Sequence, residues 1–168
     1  MEEKFMVRAI ELAVTNVTSN HGGPFGAVVV RDGKIIAEGA NSVTATNDPT
    51  AHAEMVAIRE ACRVMKTVEL TGCDIYTSCE PCPMCLAAMY WARAARCYFG
   101  CTAKDAEAAG FDDAFIYEQH MRAHDERSIH MRNVMRNVMR DEAMAAFEAW
   151  AKHTDEAPHS GSELRRVR

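Results

Sequence analysis

A chain of 168 residues is long enough for one domain that buries roughly two thirds of its unfolded surface. Its 48% hydrophobic and 26% charged residues exclude a disordered or fibrous class, and a net charge of -5 disfavours a large polyanionic partner such as nucleic acid. No apolar run approaches the roughly 18 residues of a membrane span, and seven cysteines behind an N-terminus without export features point to reduced thiols, a cytoplasmic setting and metal binding rather than disulfides.

The first predicted element is a helix over 2–19, where Phe5, Ala9, Ala13 and Val17 form one i,i+4 row beside Met6, Ile10 and Leu12. The run from His21 to Pro24 ends it. Gly26 to Arg31 reads as a β-branched strand, and Asp32-Gly33 before Ile35, Ile36 and Ala37 signals a tight hairpin. Thr50 is a candidate N-cap for a helix from 51 to about 64. Residues 74–78 form a strand and 79–83 a loop, with a helix starting near Pro83, whose missing N–H suits a first turn. A strand over 95–101 and a short helix over 104–109 follow. Strands alternating with helices after a hairpin predict an α/β sandwich with a mixed, mostly parallel sheet.

Residues 131–140 repeat with period four, placing Met131, Met135 and Met139 in one row and Arg132, Arg136 and Arg140 in another. An amphipathic helix packing its Met/Val stripe is the reading favoured over an arginine ridge for nucleic acid. The domain is expected to span 1–152, with its last helix over about 131–152, and 153–168 to form a loose polar tail.

The chemistry lies in His52-Ala53-Glu54 and in Pro81-Cys82-Pro83-Met84-Cys85. A catalytic zinc takes three protein ligands and keeps a fourth position open, and one imidazole with two thiolates supplies three. Cys82 and Cys85 lie three apart at a helix start, and His52 opens the preceding helix, so His52, Cys82 and Cys85 are the expected ligands of one Zn2+. Glu54 follows His52 by two, and in a first turn its long side chain can fold towards the same pocket as a proton carrier. Backbone N–H groups around Glu80 to Cys82 are placed by loop position to steady the attacking water. H-x-E followed by P-C-x-x-C is the signature of zinc deaminases. Two competitors arise from Cys79. An iron–sulfur run would need a further cysteine at position 89, which is Met89, and a structural zinc site with Cys79 as fourth ligand would give Glu54 no task.

The chain resembles the cytidine-deaminase superfamily and, within it, the bacterial guanine deaminases. The likeness runs from about Phe5 to Tyr117 and rests on Gly22 to Ala27, Asn47 to Glu54, Thr77 to Cys85 and Gly110-Phe111-Asp112-Asp113. The first three blocks recur across purine-type deaminases, including those acting on tRNA; the last resembles guanine deaminases specifically. The resemblance implies a three-layer α/β/α sandwich around a five-stranded sheet, and zinc on His52, Cys82 and Cys85. It implies Glu54 and Asp113 as catalytic groups, and Phe25, Asn41, Ala53 and Asp113 as contacts to the base. It also implies a homodimer, in some members with exchanged C-terminal segments. The expected reaction is hydrolytic deamination of guanine to xanthine and ammonia. The alternatives are a related aminohydrolase acting on cytosine, a nucleoside or an amino-triazine such as ammeline, a tRNA adenosine deaminase, and a zinc-binding scaffold without activity. One departure is visible at the C-terminus. In part of the family an aromatic near the end closes the pocket, whereas here the last aromatic, Trp150, precedes eighteen further residues.

Overall fold

The computed structural model describes residues 2–131 and 139–153, which fall into two units, Met1–Phe115 and Ile116–Arg168. The first unit begins with helix α1 (Glu3–Thr18), then strands β1 (Gly26–Arg31) and β2 (Lys34–Ala40). Asp32 and Gly33 both take positive φ, 50° and 71°, which is the two-residue hairpin turn expected from the Asp-Gly pair. A short helix α2 (Val43–Thr46) leads to α3 (Ala53–Met65), β3 (Asp74–Cys79), α4 (Pro83–Trp91), β4 (Arg96–Cys101) and α5 (Ala103–Ala108).

The sheet order is β2-β1-β3-β4. It is mixed, as expected, but β1 runs antiparallel to both β2 and β3, and only β3 and β4 are parallel. The described residues hold four strands; the fifth that the family resemblance implies is not among them. β1 sits centrally, so five of its six residues are buried on both faces, and its Val-rich run needs no polar alternation. One side of the sheet packs Phe5 and Ala9 of α1 against Val28, Val30 and Tyr76. The other packs Ala53, Ala57, Ile58 and Ala61 of α3 and Met89 of α4 against Ala27, Val29 and Ile75. This is the three-layer α/β/α arrangement. Met89, at the position where an iron–sulfur run would need cysteine, is a core residue.

The α1 row departs from expectation at its end. Phe5, Ala9 and Ala13 are buried, but Val17 is 49% exposed and Asn16 is buried instead. An i,i+4 row precesses around a straight helix by about 40° per step, so three steps carry it about 120° off the buried face.

Helix α3 begins two residues later than predicted, with His52 rather than Thr50 as its N-cap. Thr50 is occupied elsewhere: its N–H and hydroxyl both donate to Asp48 Oδ1, at 2.8 and 2.6 Å. Gly39 explains how α3 comes close enough to the sheet. A Cβ there would sit 2.2 Å from the Ala53 carbonyl oxygen and 2.6 Å from the Ala57 nitrogen, both rigid helix backbone. Gly39→Ala is therefore expected to cost about 3 kcal/mol, the upper end of ordinary over-packing, and to lower the melting temperature by roughly 6–12 °C. A thermal melt with a change under about 2 °C would show that α3 can move away freely.

Helix α6 (Ala114–Met121) starts at the end of the first unit, its opening N–H at Ala114 held by Asp112 Oδ1 at 2.7 Å. In the second unit α7 spans Arg140–His153, with Asp141 and Glu142 in its first turn and Lys152 and His153 in its last, the charge order that complements a helix dipole. Of the predicted helix over about 131–152, α7 covers the stretch from Arg140, and Met131 and Met139 lie outside it. Most of the repeat, 132–138, falls outside the described residues, as do 154–168 of the predicted tail. His153 belongs to α7 rather than the tail, its Nδ1 lying 2.8 Å from the Ala149 carbonyl oxygen.

Candidate active site

Two helices on the same face of the sheet start in the same way. His52 caps α3 with φ -65° and ψ 156°, and Cys82 caps α4 with φ -64° and ψ 167°. Neither side chain caps its own helix, so each stays available as a ligand, and Pro83 follows Cys82 as the first helical residue. Cys85 lies on the first turn of α4 and is fully buried. His52 Nδ1 stands 3.6 Å from Cys82 Sγ and 3.7 Å from Cys85 Sγ, and the three ligand atoms lie within 4.8 Å of one another.

A tetrahedral zinc with N at about 2.05 Å and S at about 2.3 Å would hold its nitrogen and sulfur ligands about 3.6 Å apart. The spacing and the donor set both fit zinc. Cys79 is not part of the group among the described residues; its Sγ faces the Thr102 carbonyl oxygen at 3.7 Å, and burial pushes its thiol up to about 11. Burial likewise pushes Cys97 up to about 12. Cys82 goes the other way, down to about 4, because the Cys85 thiol donates to its sulfur and His52 adds a second partner against the cost of burial. The same contact raises Cys85, and the Cys82 contact raises His52. Cys82 is thus poised as a thiolate, the form that binds metal, and a bound metal ion would draw the proton from Cys85 as well.

Glu54 stands on the first turn of α3 and is only 6% exposed. Burial raises its pKa. The buried Thr77 hydroxyl of β3 donates to Glu54 Oε1 at 3.3 Å. Asp113 is half-buried and near enough to His52 and Cys82 for their charges to be felt; burial first, then Cys82, raise it.

Asn41 is buried, and its Oδ1 accepts from the N–H groups of Gly23 and Val43, both at 3.4 Å. Asn16 of α1 braces that loop from below, donating through Nδ2 to the carbonyl oxygens of Gly23 and Asn41, each at 2.8 Å. Gly22 is required there, since a Cβ would lie 2.1 Å from the Asn41 carbonyl oxygen. Phe25 is half-buried, with its ring edge-on to Phe111 at 5.1 Å and 88°. The Ala53 methyl is fully buried in the core, so what this residue can offer a ligand is its backbone N–H in the first turn.

One loop expectation is corrected. The Glu80 N–H donates to the Cys101 carbonyl oxygen at 2.8 Å and Pro81 has none, which leaves the Cys82 N–H as the donor of that loop. An apolar cleft of about 590 Å³ runs past Ile10, Val14, Val17, Phe25, Cys79 and Phe111. It includes neither the metal-ligand group nor Glu54, Asn41 or Asp113, and its apolar lining does not suit a polar base.

Residues 1–101 match the family defined by the cytidine and deoxycytidylate deaminase zinc-binding region. The chain belongs to this deaminase family. It is 51% identical over 148 residues to a guanine deaminase of Bacillus subtilis, spanning 88% of this chain and 92% of the relative. The X-ray structure of a guanine deaminase from that organism superposes with a TM-score of 0.89 at 47% identity, covering 95% of this chain and 99% of the other. A tRNA-specific adenosine deaminase of Aquifex aeolicus is 49% identical over only 76 residues, 45% of this chain and 50% of that protein. As a deaminase of this family the chain is a hydrolase of C–N bonds, which removes the inactive-scaffold alternative. Among the described residues no helix is long and apolar enough to cross a membrane.

The sequence assigns no role of their own to Asn16, Thr77 and Phe111, although Thr77 and Phe111 lie within the blocks that carry the family resemblance. Thr77 left one signal: it is the polar residue on the face of β3 that also carries Ile75, where packing alone would favour valine.

Proposed function

We propose that this deaminase converts guanine to xanthine and ammonia, using one zinc ion on His52, Cys82 and Cys85. The observation that carries guanine is the extent of the likeness. A match of 148 residues to a guanine deaminase necessarily takes in the Gly110 to Asp113 segment, whereas the tRNA-directed relative matches over about half that length.

Zinc in this site supplies Lewis-acid activation of water at neutral pH. Glu54 accepts the proton of the water that adds to guanine C2, passes it to ring N3, and assists departure of ammonia. Asp113 as a carboxylate accepts from the ring N–H and amino donors of guanine, a set that cytosine and adenine do not present. Asn41, its Oδ1 turned to two backbone N–H groups, offers Nδ2 to an acceptor on the base. Phe25 packs on the base from the side opposite its Phe111 contact, and the Ala53 N–H adds a donor. The same proposal takes residues 1–152 as one working domain in a cytoplasmic setting, acting as the homodimer that the family resemblance implies.

Ammonia release measured across guanine, guanosine, cytosine, adenine and ammeline tests the substrate; a preference for any base other than guanine overturns it. Asp113→Asn tests the residue. Placing an amide N–H against donor N–H groups in a desolvated pocket costs on the order of 1–3 kcal/mol, so guanine turnover is expected to fall ten- to a few hundred-fold. A change under about twofold, on protein with unaltered zinc and melting temperature, would leave Asp113 a surface turn.

A further inference from the structure

The geometry points to Thr77 as a positioning residue: its buried hydroxyl donates to Glu54 Oε1 and thereby fixes the orientation in which the Glu54 carboxylate meets the reacting water. This rests on Glu54 being the proton carrier of the proposed reaction.

Thr77 lies in β3 between both of its neighbours in the sheet, paired with Ala27 on β1 and Phe99 on β4, so its backbone cannot drift. Its side chain is 1% exposed, on the face of the sheet that packs α3 and α4. On that face Ile75 precedes it, and Ala27 and Val29 of β1 stand beside them, so a hydroxyl here is an exception to an otherwise apolar layer. The exception has one described partner, Glu54 Oε1 at 3.3 Å, reached across 23 residues of sequence. Glu54 itself stands on the first turn of α3, a helix seated closely on the sheet at Gly39. A long carboxylate side chain has three rotatable bonds, so its outer orientation depends on the groups it meets, which are its own backbone N–H, the Cys85 thiol and Thr77. A donor from the rigid central sheet holds one of its two oxygens, Oε1, at a fixed place. A hydrogen bond to a charged acceptor is stronger than a neutral one, so its loss should be felt in every step that needs the carboxylate aligned.

The test compares Thr77→Val, which keeps shape and removes the hydroxyl, with Thr77→Ser, which keeps the hydroxyl and removes a methyl. With guanine as substrate, Thr77→Val is expected to lower kcat by about 10- to 100-fold while KM changes less than about twofold. Zinc content and melting temperature should stay at the wild-type level. Thr77→Ser is expected to stay within about threefold of wild-type kcat. A merely structural role reverses that order, because valine suits the apolar layer and serine leaves a gap. A crystal structure of Thr77→Val should show the Glu54 carboxylate displaced from residue 77. Wild-type kcat in Thr77→Val, an equal loss in both variants, or an unmoved Glu54 overturns the inference. Should Thr77→Val fail to fold, a serine variant that loses kcat overturns it and one that retains kcat supports it. Failure of the guanine reading is seen separately, in wild-type protein that deaminates a different base; the Thr77 ratios are then read on that base.

Discussion

Glu54→Gln is expected to bind zinc at the wild-type level and to lose turnover by about 10²- to 10⁴-fold, the range that a positioned acid–base group contributes. The glutamine is close to isosteric and can still accept the Thr77 hydroxyl through its carbonyl oxygen, so the packing around the first turn of α3 is preserved. What it cannot do is take a proton and give it back. The group it replaces is 6% exposed with a pKa raised by burial, and a buried carboxyl with that poise has a reason to be there beyond stability. Zinc content by elemental analysis and single-turnover ammonia release separate the possibilities. Protein that loses its zinc would make Glu54 a ligand, and turnover within a few-fold of wild type would end its role as proton carrier.

The site was legible because its residues sit at helix starts, and helix starts are written locally. Pro83 marks the first turn of α4, so Cys82 falls at the cap and Cys85 on the same turn; the spacing alone brings both sulfurs to one point. His52 and Glu54 occupy the matching place on α3, although Thr50 was the better cap by side-chain chemistry. Thr50 lost because Asp48 took its hydroxyl, a competition between two short polar side chains that residue preferences do not resolve. The hairpin was equally plain, since Asp32-Gly33 supplies two positive φ angles in sequence. Strand order was not. That β1 pairs with β3 in antiparallel fashion depends on contacts between residues 26–31 and 74–79, far apart in the chain, and the strands' composition suits either direction. The braces behind the site were hidden for the same reason. Asn16 reaches Asn41 across 25 positions and Thr77 reaches Glu54 across 23, and neither pair leaves a local pattern.

Cys82→Ala is expected to abolish stoichiometric zinc binding and, with it, measurable deamination. Losing even an outer-shell partner of a metal ligand commonly costs 10- to 100-fold in affinity, so loss of a ligating thiolate should cost at least about 100-fold. Cys82 is one of the two sulfurs that meet the imidazole: it faces His52 Nδ1 at 3.6 Å, as Cys85 does at 3.7 Å. The fold should tolerate the change. Cys82 makes no side-chain capping bond to α4, so alanine removes none, and Pro83 still presets the first turn. Loss of metal in a folded protein is thus the expected phenotype. Cys79→Ala is the control: its sulfur faces the Thr102 carbonyl oxygen and lies outside the ligand group, so zinc should remain at about one per chain. Treatment of wild-type protein with a strong chelator should remove activity, and added zinc should restore it to wild-type protein but not to Cys82→Ala. Full zinc in Cys82→Ala, or zinc lost from Cys79→Ala instead, would move the metal to a different set of sulfurs. The first result would withdraw Cys82 as a ligand; the second would turn the site into a four-ligand structural one, with no open position for water and no use for the carboxylate beside it.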